Sequence, residues 1–302
     1  MASAFFVGDA LALASATCFA ISNVTIARGV RAGEDNGAFV SLLLTAAISG
    51  AGWLLVGFGR GFEPVTGRAA AWFAGAGVFT AFVGRVFFYE SVERLGAMRS
   101  AALKRLNPFF AVVLGVAVLQ ESLTRGMAAG LVLILASFGV LVRGTRGAGG
   151  ERSPASRLAF AGYLYGVISA LGYASGYLLR KMGLAEAHDA LLGAMVGTLA
   201  GAALFLATAA VNADYARAVR ATFARPSAWL IAAGVMSSFG QILYFAALSA
   251  GPMSRVALIS SIEVFITLFL GYAFLRKHEA LTAPLILAAI LGVAGTAAIF
   301  TA

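Results

Sequence analysis

Charged side chains interrupt two neighbouring apolar stretches of the sequence. Arg85 lies ten residues before the turn that joins these stretches, and Lys104 and Arg105 lie nine and ten residues after it. At about 1.5 Å per residue, this spacing places all three at one depth, about 10 Å or more inside the apolar region. Ionised groups at that depth need an aqueous cavity or a partner. The three bases either form a vestibule that attracts a substrate carboxylate, or extend to the interface with Glu90 and Glu93 as counterions.

A carboxylate occurs deeper, in the ninth apolar stretch. Glu263 lies twelve residues past the turn at Gly251, which corresponds to a depth of about 18 Å and hence to the midplane of a membrane. An intramembrane acid is a candidate to bind a substrate ammonium group or to carry a proton, and pairing with another helix is the structural alternative. Asn107 occupies the corresponding place in the fourth stretch, where its amide donates and accepts hydrogen bonds without charge.

Hydroxyl, amide and aromatic side chains accompany these charges. Ser237, Gln241 and Tyr244 follow i, i+4, i+7 spacing and form one polar stripe on a helix. Such a stripe faces protein or water rather than lipid, and interhelical hydrogen bonding is the alternative role of each member. The complete set of predicted substrate-binding residues is Thr17, Asn23, Phe82, Arg85, Tyr89, Lys104, Asn107, Tyr173, Tyr177, Ser237, Gln241, Tyr244 and Glu263.

The composition excludes an ordinary soluble protein. Of 302 residues, 61% are hydrophobic and 12% are charged, whereas about 25% of residues are charged in soluble domains. The formal charge of +9 comes from bases between apolar runs, which the positive-inside bias of membrane proteins explains without a nucleic-acid partner. We therefore predict an all-α integral membrane protein whose partners are the lipid bilayer and a small-molecule substrate.

Motifs for cofactors are absent from the sequence. None of the three lysines belongs to a G-x-x-x-x-G-K-[ST] motif, so direct use of ATP is not indicated. Two separate histidines and the single Cys18 offer no metal-ligand spacing. We expect no cofactor and no bound metal.

Ten apolar stretches are separated by charges, Gly and Pro, and each is long enough to cross a membrane. They run over about 6–27, 38–58, 70–92, 97–119, 123–142, 158–180, 190–211, 228–249, 254–275 and 281–301. The most polar interval divides the chain into a first half at 1–145, a linker at 146–157 and a second half at 158–302. In the seventh stretch, Gly193, Gly197 and Gly201 predict a ridge for close helix packing.

The two halves resemble each other in sequence. Residues 76–82 (AGVFTAF) recur as residues 233–239 (AGVMSSF), and Ser15-Ala16 recurs as Ser169-Ala170. Each half contains five stretches, an odd number, so the second half must enter the membrane in the opposite direction to the first. Ten transmembrane helices in two inverted five-helix repeats are therefore predicted, an architecture typical of secondary transporters.

Basic residues predict the orientation. The odd-numbered loops contain 13 Lys and Arg residues and the even-numbered loops contain six. The positive-inside rule places the odd-numbered loops in the cytoplasm and both termini outside the membrane.

The fourth and fifth stretches carry a recognisable motif. Asn107-Pro108-Phe109-Phe110, followed by Glu121 and Leu123-Thr124, resembles the E-P-v-f … g-E-x-L-T signature of the EamA-type drug/metabolite transporter superfamily. Asn107 stands where the family usually has Glu, and Val264 follows Glu263 where the family usually has Pro. The resemblance implies that helices 1, 3, 4, 6, 8 and 9 line a central cavity and that helices 5 and 10 lie outside it. Several bacterial members export amino acids, including aromatic ones.

These features together favour a secondary transporter of the bacterial inner membrane. We expect it to export small organic metabolites, foremost amino acids and among them aromatic or neutral ones, by alternating access through a cavity between the repeats. Glu263 makes proton coupling a further hypothesis, and no oligomeric state follows from the sequence. The alternative is a membrane-embedded enzyme acting on a lipid-linked or small polar substrate, and a channel is a third reading.

Overall fold

The computed structural model describes residues 2–29, 37–62, 64–95, 100, 103–146, 157–224, 227–275 and 283–300. Regular structure in these ranges is helical, with no strand. The helices are α1 (Ala2–Gly29), α2 (Ala38–Arg60), α3 (Gly67–Val78), α4 (Gly84–Leu95), α5 (Asn107–Leu119), α6 (Arg125–Arg146), α7 (Arg157–Glu186), α8 (Ala190–Ala209), α9 (Ala213–Ala224), α10 (Ala228–Ala250), α11 (Met253–Ser260), α12 (Glu263–Leu275) and α13 (Ala283–Phe300).

The helices are apolar enough to be solvated by lipid. Six segments in the described part of the chain are long and hydrophobic enough to cross a membrane: Phe6–Gly29, Ala38–Arg60, Gly67–Val92, Ala190–Ala209, Ala228–Ala250 and Met253–Gly271. Three shorter apolar segments accompany them, at Asn107–Leu119, Arg125–Val140 and Ile286–Phe300. The prediction of an all-α, multi-pass membrane protein is confirmed at this level.

Serine hydroxyls join helices of the two halves through equivalent contacts. The Ser15 hydroxyl on α1 donates to the Gly240 carbonyl on α10 at 2.7 Å, and the Ser169 hydroxyl on α7 donates to the Gly84 carbonyl on α4 at 2.6 Å. The two serines correspond in the sequence repeat. In both pairs the helices run antiparallel, since Ser22 bonds Ala233 and, correspondingly, residues earlier in α7 pack on residues later in α4.

Glycines permit the closest helix contacts. A Cβ added at Gly77 would collide with the carbonyl of Gly197, so α3 and α8 touch backbone to backbone. Gly193 faces Phe73 and Gly201 faces Ala81 in the same register, which makes these helices parallel. The predicted packing ridge on the seventh stretch is thus confirmed.

Helix α2 of the first half packs against two helices of the second half, α10 and α8. It runs parallel to α10, where the hydroxyls of Thr45 and Ser238 are 2.9 Å apart and Gly234 packs on Ser41. It runs antiparallel to α8, where Gly50 faces Met195 and Gly52 faces Leu191. Helices α6 and α13 pack on each other at Gly130 and Gly295.

Two of the predicted continuous helices are broken at equivalent positions. In the fourth stretch, a turn at Arg105-Leu106 precedes α5, which begins at Asn107. In the ninth stretch, Ser261-Ile262 separates α11 from α12, which begins at Glu263. Each break places a polar residue at the start of a half-helix in the interior. Discontinuous helices of this kind occur at the binding sites of transporters.

A π-helical segment at Phe79–Val83 joins α3 to α4. The Gly84 amide donates to the Phe79 carbonyl, an i+5 bond that inserts one extra residue into the turn. The insertion rotates everything that follows by about 100° relative to a regular helix. The face on which Arg85 lies is therefore set by this segment.

The basic connection between the seventh and eighth stretches contains the amphipathic helix α9. Asp214 and Arg217 form an ion pair on its exposed side. Its apolar side packs against α2 and α8, through Tyr215, Ala218 and Val219 on Phe39, Ala202 and Phe205. A short amphipathic helix of this kind suits the interface between lipid and water.

Candidate functional site

A cavity of about 420 Å³ lies in the middle of the helix bundle. It extends to the end of the bundle where α1 finishes and α2 and α10 begin, since Ile26, Gly37, Ala38 and Leu230 line it there. We call this the open end. The opposite end, where α1 begins and α7 and α10 finish, is the closed end.

Four cationic side chains and one carboxylate line the cavity. The cations are Arg85, Lys104, Arg105 and Arg180, and the carboxylate belongs to Glu263. Formal charge among these described lining residues is therefore +3, from four positive groups and one negative. Like charges held together in a low-dielectric interior repel one another, so this cavity attracts anions.

The carboxylate of Glu263 is bound to the first helix. It accepts a hydrogen bond from the Asn23 amide at 2.8 Å, and the same amide lies 3.4 Å from the Thr267 hydroxyl. Glu263 is also in the first turn of α12, where the helix dipole favours negative charge. The side chain is thus held in place at the break between α11 and α12.

Aromatic rings hold the cations in position. The Lys104 ammonium lies 4.5 Å from the centroid of the Tyr173 ring and 5.2 Å from that of Phe88. The Arg180 guanidinium lies 4.8 Å from the centroid of Phe245. Cation–π contacts of this kind stabilise a charge without neutralising it.

A tyrosine pair connects the two halves inside the cavity. The rings of Tyr177 and Tyr244 are 4.7 Å apart between centroids. The Asn107 amide donates to the Tyr177 hydroxyl at 3.2 Å, and Arg180 donates to the Gln241 side chain at 2.8 Å. Residues of three different helices, α5, α7 and α10, therefore meet at one place.

Several buried polar atoms of the cavity have no hydrogen-bond partner among the residues that the structure describes. They are Arg85 Nη1, Asn107 Oδ1, Arg180 Nε, the Tyr244 hydroxyl and the Ser260 hydroxyl, all on lining residues. Leaving such a group unsatisfied costs about 1–3 kcal/mol. Donors and acceptors thus face the same space, as a polar ligand requires.

The closed end contains buried polar groups of a different kind. Arg255 binds Asp9 through two hydrogen bonds of 2.7 Å each. Glu121 accepts from the amides of Met253 and Ser254 at 2.6 and 2.9 Å. None of these residues lines the cavity.

Lys181 completes the closed end. Its ammonium donates to the carbonyls of Leu248 and Gly251 at 2.5 and 2.7 Å, at the finish of α10. The left-handed turn at Gln120, with φ of 55°, aims Glu121 at the start of α11. The absence of a side chain at Gly115 provides space for this contact, because a Cβ there would meet Glu121 and Ser254.

Residues 6–143 and 160–301 each match the profile of the EamA-like transporter family. The chain belongs to the EamA-like transporter family. It is therefore a multi-pass membrane protein that transports small solutes. The family match also confirms the resemblance of the sequence motif, and its two segments confirm that the chain contains two repeats.

Comparison with solved structures supports the same fold. One matching crystal structure, titled only as that of a protein, is 19% identical and superimposes with a TM-score of 0.68. The match covers 98% of this chain and 97% of the other. No curated protein matches the sequence.

Most residues predicted to bind substrate line the cavity of this EamA-like transporter. These ten are Asn23, Arg85, Lys104, Asn107, Tyr173, Tyr177, Ser237, Gln241, Tyr244 and Glu263. Thr17 does not, and its hydroxyl donates to the Leu13 carbonyl of its own helix at 3.0 Å. Phe82 lies in the π-helical segment, outside the lining. The side chain of Tyr89 lies outside the described part of the structure, and its neighbour Phe88 lines the cavity.

The bases near the open end face the cavity. Both Arg85 and Lys104 are lining residues, whereas Glu90 forms an ion pair with Arg94 of its own helix. Glu90 is therefore engaged by Arg94. The side chain of Glu93 lies outside the described residues.

Arg180 is a charged lining residue that the sequence pattern missed. The pair Arg180-Lys181 was expected at the end of the sixth stretch, in an even-numbered loop, but α7 continues to Glu186. Arg180 is 5% exposed and Lys181 is bound at the closed end. Arg255, counted with the bases of the same side at the start of the ninth stretch, is 9% exposed within α11. One feature of the sequence does point to Arg180: Gln241, in the polar stripe on α10, needs a hydrogen-bond partner, and Arg180 supplies it.

Proposed function

We propose that this protein is a secondary exporter of small organic metabolites, with amino acids as the leading class. The observation that carries this proposal is a cavity with one open and one closed end, in which cations and a carboxylate face the same space. In the proposed cycle, the cavity closes at one end and opens at the other, so that the solute is exposed to each side in turn.

The proposal includes ten membrane crossings in two inverted repeats. The crossings are α1, α2, α3 with α4, α5 with the turn before it, α6, α7, α8, α10, α11 with α12, and α13. Helix directions support the inversion. Helix α1 is antiparallel to α10, which is parallel to α2 and therefore antiparallel to α8. Helix α8 is parallel to α3, and α3–α4 is antiparallel to α7. It follows that the equivalent helices α1 and α7 run in opposite directions. The boundary between the repeats is proposed at 146–157.

Amino acids suit the chemistry of the cavity. The Glu263 carboxylate offers a partner for the substrate ammonium group, and Arg85 and Lys104 offer partners for its carboxylate. Tyr173 and Tyr177 supply aromatic surface for an apolar or aromatic side chain. These groups belong to both repeats, so a bound amino acid would contact both.

We propose that the open end faces the cytoplasm of a bacterial inner membrane. Three of the bases counted in even-numbered loops lie within helices: Arg180 and Arg255 are buried, and Lys181 is half-buried and bound to backbone carbonyls. Their removal leaves Arg60, Arg68 and Arg125 on that side, which sharpens the positive-inside bias. A cavity open to the cytoplasm is ready to load a solute for export.

Cysteine labelling tests this orientation. In a Cys18→Ser background, Gly149→Cys in the linker should be shielded from an impermeant thiol reagent applied outside intact cells. Pro64→Cys, exposed between α2 and α3, should react with it. A reporter fused after Ala302 should behave as periplasmic. The opposite pattern would reverse the orientation and make the open end periplasmic.

Counterflow in proteoliposomes tests the transport activity. Vesicles loaded with an unlabelled amino acid should accumulate the labelled one, with and without a proton gradient, over a panel of neutral, aromatic and acidic amino acids. Counterflow distinguishes a carrier from an enzyme or a channel, because only a carrier exchanges bound solute across the membrane. Absence of counterflow for the whole panel would contradict the proposal of amino-acid transport.

A further inference from the structure

Arg180 is a buried cation with an unused donor. Its Nη1 atom donates to Gln241 at 2.8 Å, whereas its Nε atom is buried without a partner. Among the described residues, the ion pairs are Arg68–Glu186, Arg94–Glu90, Arg217–Asp214 and Arg255–Asp9, and none includes Arg180. Because burying an unpaired charge is costly, an anion that entered the cavity and bound Arg180 would offset that cost.

The surroundings of Arg180 form a built pocket. Its guanidinium lies 5.6 and 5.8 Å from the ring centroids of Tyr177 and Tyr244, in addition to Phe245 at 4.8 Å. The Tyr244 side chain is 3% exposed, and its hydroxyl also lacks a partner. Two free donors, a guanidinium N–H and a phenol O–H, thus belong to neighbouring residues. Together they match the oxygens of one carboxylate or phosphate.

This pocket lies deeper than the other cations. Gly162 packs on Leu95, which aligns α7 with α4. Arg85 lies ten residues from that level along α4, and Arg180 lies eighteen residues from it along α7. At about 1.5 Å per residue, their backbone positions differ by roughly 12 Å in depth. The cavity therefore has cationic groups at two levels, with Glu263 as its single described carboxylate.

Charge balance decides what kind of solute fits both levels. A neutral zwitterion leaves the formal charge of the lining at +3, while a solute with two acidic groups and no ammonium lowers it to +1. The long side chains of Arg85 and Arg180 shorten the distance between the two levels. One small molecule with an acidic group at each end can then contact both.

We propose that Arg180 and Tyr244 form an anion-binding subsite at the inner end of the cavity, and that the preferred solute carries two acidic groups. One acidic group binds this subsite, and the other binds Arg85 and Lys104. An ammonium group, where the solute has one, binds Glu263. This proposal rests on the proposed function and narrows its substrate class.

The test uses pairs of amino acids that differ in the second acidic group. Glutamate is compared with glutamine, and phosphoserine with serine, so that a carboxylate and a phosphate are examined separately. Two readouts are measured: thermal stabilisation of the purified protein in detergent, and counterflow in proteoliposomes. Wild type should prefer at least one acidic member over its neutral partner by about 10- to 100-fold in apparent affinity.

Variants assign the preference to the subsite. Arg180→Gln should abolish it, Arg180→Lys should retain part of it, and Tyr244→Phe should weaken it by about 3- to 10-fold while leaving the ring in place. Arg217→Gln is the matched control, because Arg217 lies on the exposed side of α9 with Asp214 as its partner. It should behave as wild type. Tyr244→Phe keeps the test decisive if Arg180→Gln fails to fold.

The outcomes separate the two proposals. Equal handling of acidic and neutral members by wild type, or an unchanged preference in both Arg180→Gln and Tyr244→Phe, would overturn the subsite while counterflow of neutral amino acids still upheld the proposed function. If acidic amino acids stabilise the wild-type protein more than their neutral partners do, but no amino acid shows counterflow, the subsite is upheld and the proposed function is refuted. Absence of both signals refutes both.

Discussion

The two ends of the bundle both contain buried polar groups, but they satisfy them differently. At the closed end, Arg255 has Asp9, and Lys181 has two backbone carbonyls. In the cavity, Arg85 and Arg180 each retain a buried donor without a protein partner. Similar side chains therefore have different roles. Groups that have partners in the chain stabilise the closed end, whereas groups without a partner among the described residues are suited to bind a solute.

This contrast predicts opposite responses to mutation at the two ends. Loss of a partner at the closed end leaves a charge in apolar surroundings without its counterion, so the free energy of unfolding should fall. Loss of a cavity cation removes repulsion and breaks few contacts, so stability should hold while selectivity changes. The following predictions are ordered by the expected loss in free energy of unfolding.

The largest loss is expected for Asp9→Ala. It removes the carboxylate that pairs with Arg255, whose side chain is 11% exposed, and breaking a buried ion pair costs about 3–5 kcal/mol. Denaturation in detergent micelles measures the change. The control Asp214→Ala removes an exposed pair on α9 and should cost less than about 1 kcal/mol. Equal losses in the two variants would show that the closed end contributes no special stability.

A smaller loss is expected for Glu121→Gln. The carboxylate accepts from two backbone amides and the Ser254 hydroxyl at the start of α11, and a neutral amide weakens these bonds by about 1–3 kcal/mol. Glu186→Gln, which affects the partially exposed pair with Arg68, is the control. Thermal melting of both variants gives the comparison. A Glu121→Gln protein as stable as the control would contradict the role of this carboxylate.

A loss below about 1 kcal/mol is expected for Glu263→Gln, because the new side chain can still accept from Asn23. Its effect should instead be on energetics of transport. If Glu263 carries the coupling proton, gradient-driven uptake should disappear while exchange of solute for solute continues. Proteoliposomes with and without a proton gradient provide the measurement. Unchanged gradient-driven uptake would assign Glu263 to substrate binding or packing.

Essentially no loss of stability is expected for Arg85→Gln and Lys104→Gln. Both variants reduce repulsion in the cavity, and both should lower the preference for an amino acid over its amide or ester by roughly 5- to 150-fold. Uptake of the two forms into inside-out vesicles measures this ratio. Retention of the full preference in both variants would place the carboxylate site elsewhere.

Much of the fold follows from the sequence because hydropathy and helix spacing are local properties. The apolar stretches and the glycine ridge of α8 need no knowledge of distant residues. The limits of helices are harder, since Arg180 and Lys181 end an apolar stretch in the same way that interfacial bases do. Only the partners supplied by Gln241, Leu248 and Gly251 keep them inside.

The cavity shows the same division between local and distant information. Arg85, Lys104 and Glu263 stand out because an ionisable residue in an apolar stretch is conspicuous wherever it lies. Thr17 and Phe82 lie outside the lining, and the sequence does not indicate this, because the rotation of a helix depends on its neighbours and on features such as the π-helical segment. In the sequence, Pro108 signals the helix break before Asn107. The break before Glu263 has no such signal, because Val264 follows Glu263.

The contacts that Asp9, Glu121 and Lys181 make at the closed end converge on one short connection, from Leu248 to Arg255. Asp9 reaches it from α1, Glu121 from the segment after α5, and Lys181 from α7. Three anchors on one segment reinforce one another, because loss of a single anchor leaves the other two holding the same backbone. In the proposed transport cycle, we therefore expect opening at this end to be cooperative, with partly open states sparsely populated. A carrier of that kind would expose its cavity to one side at a time and so limit leakage of solute down its gradient.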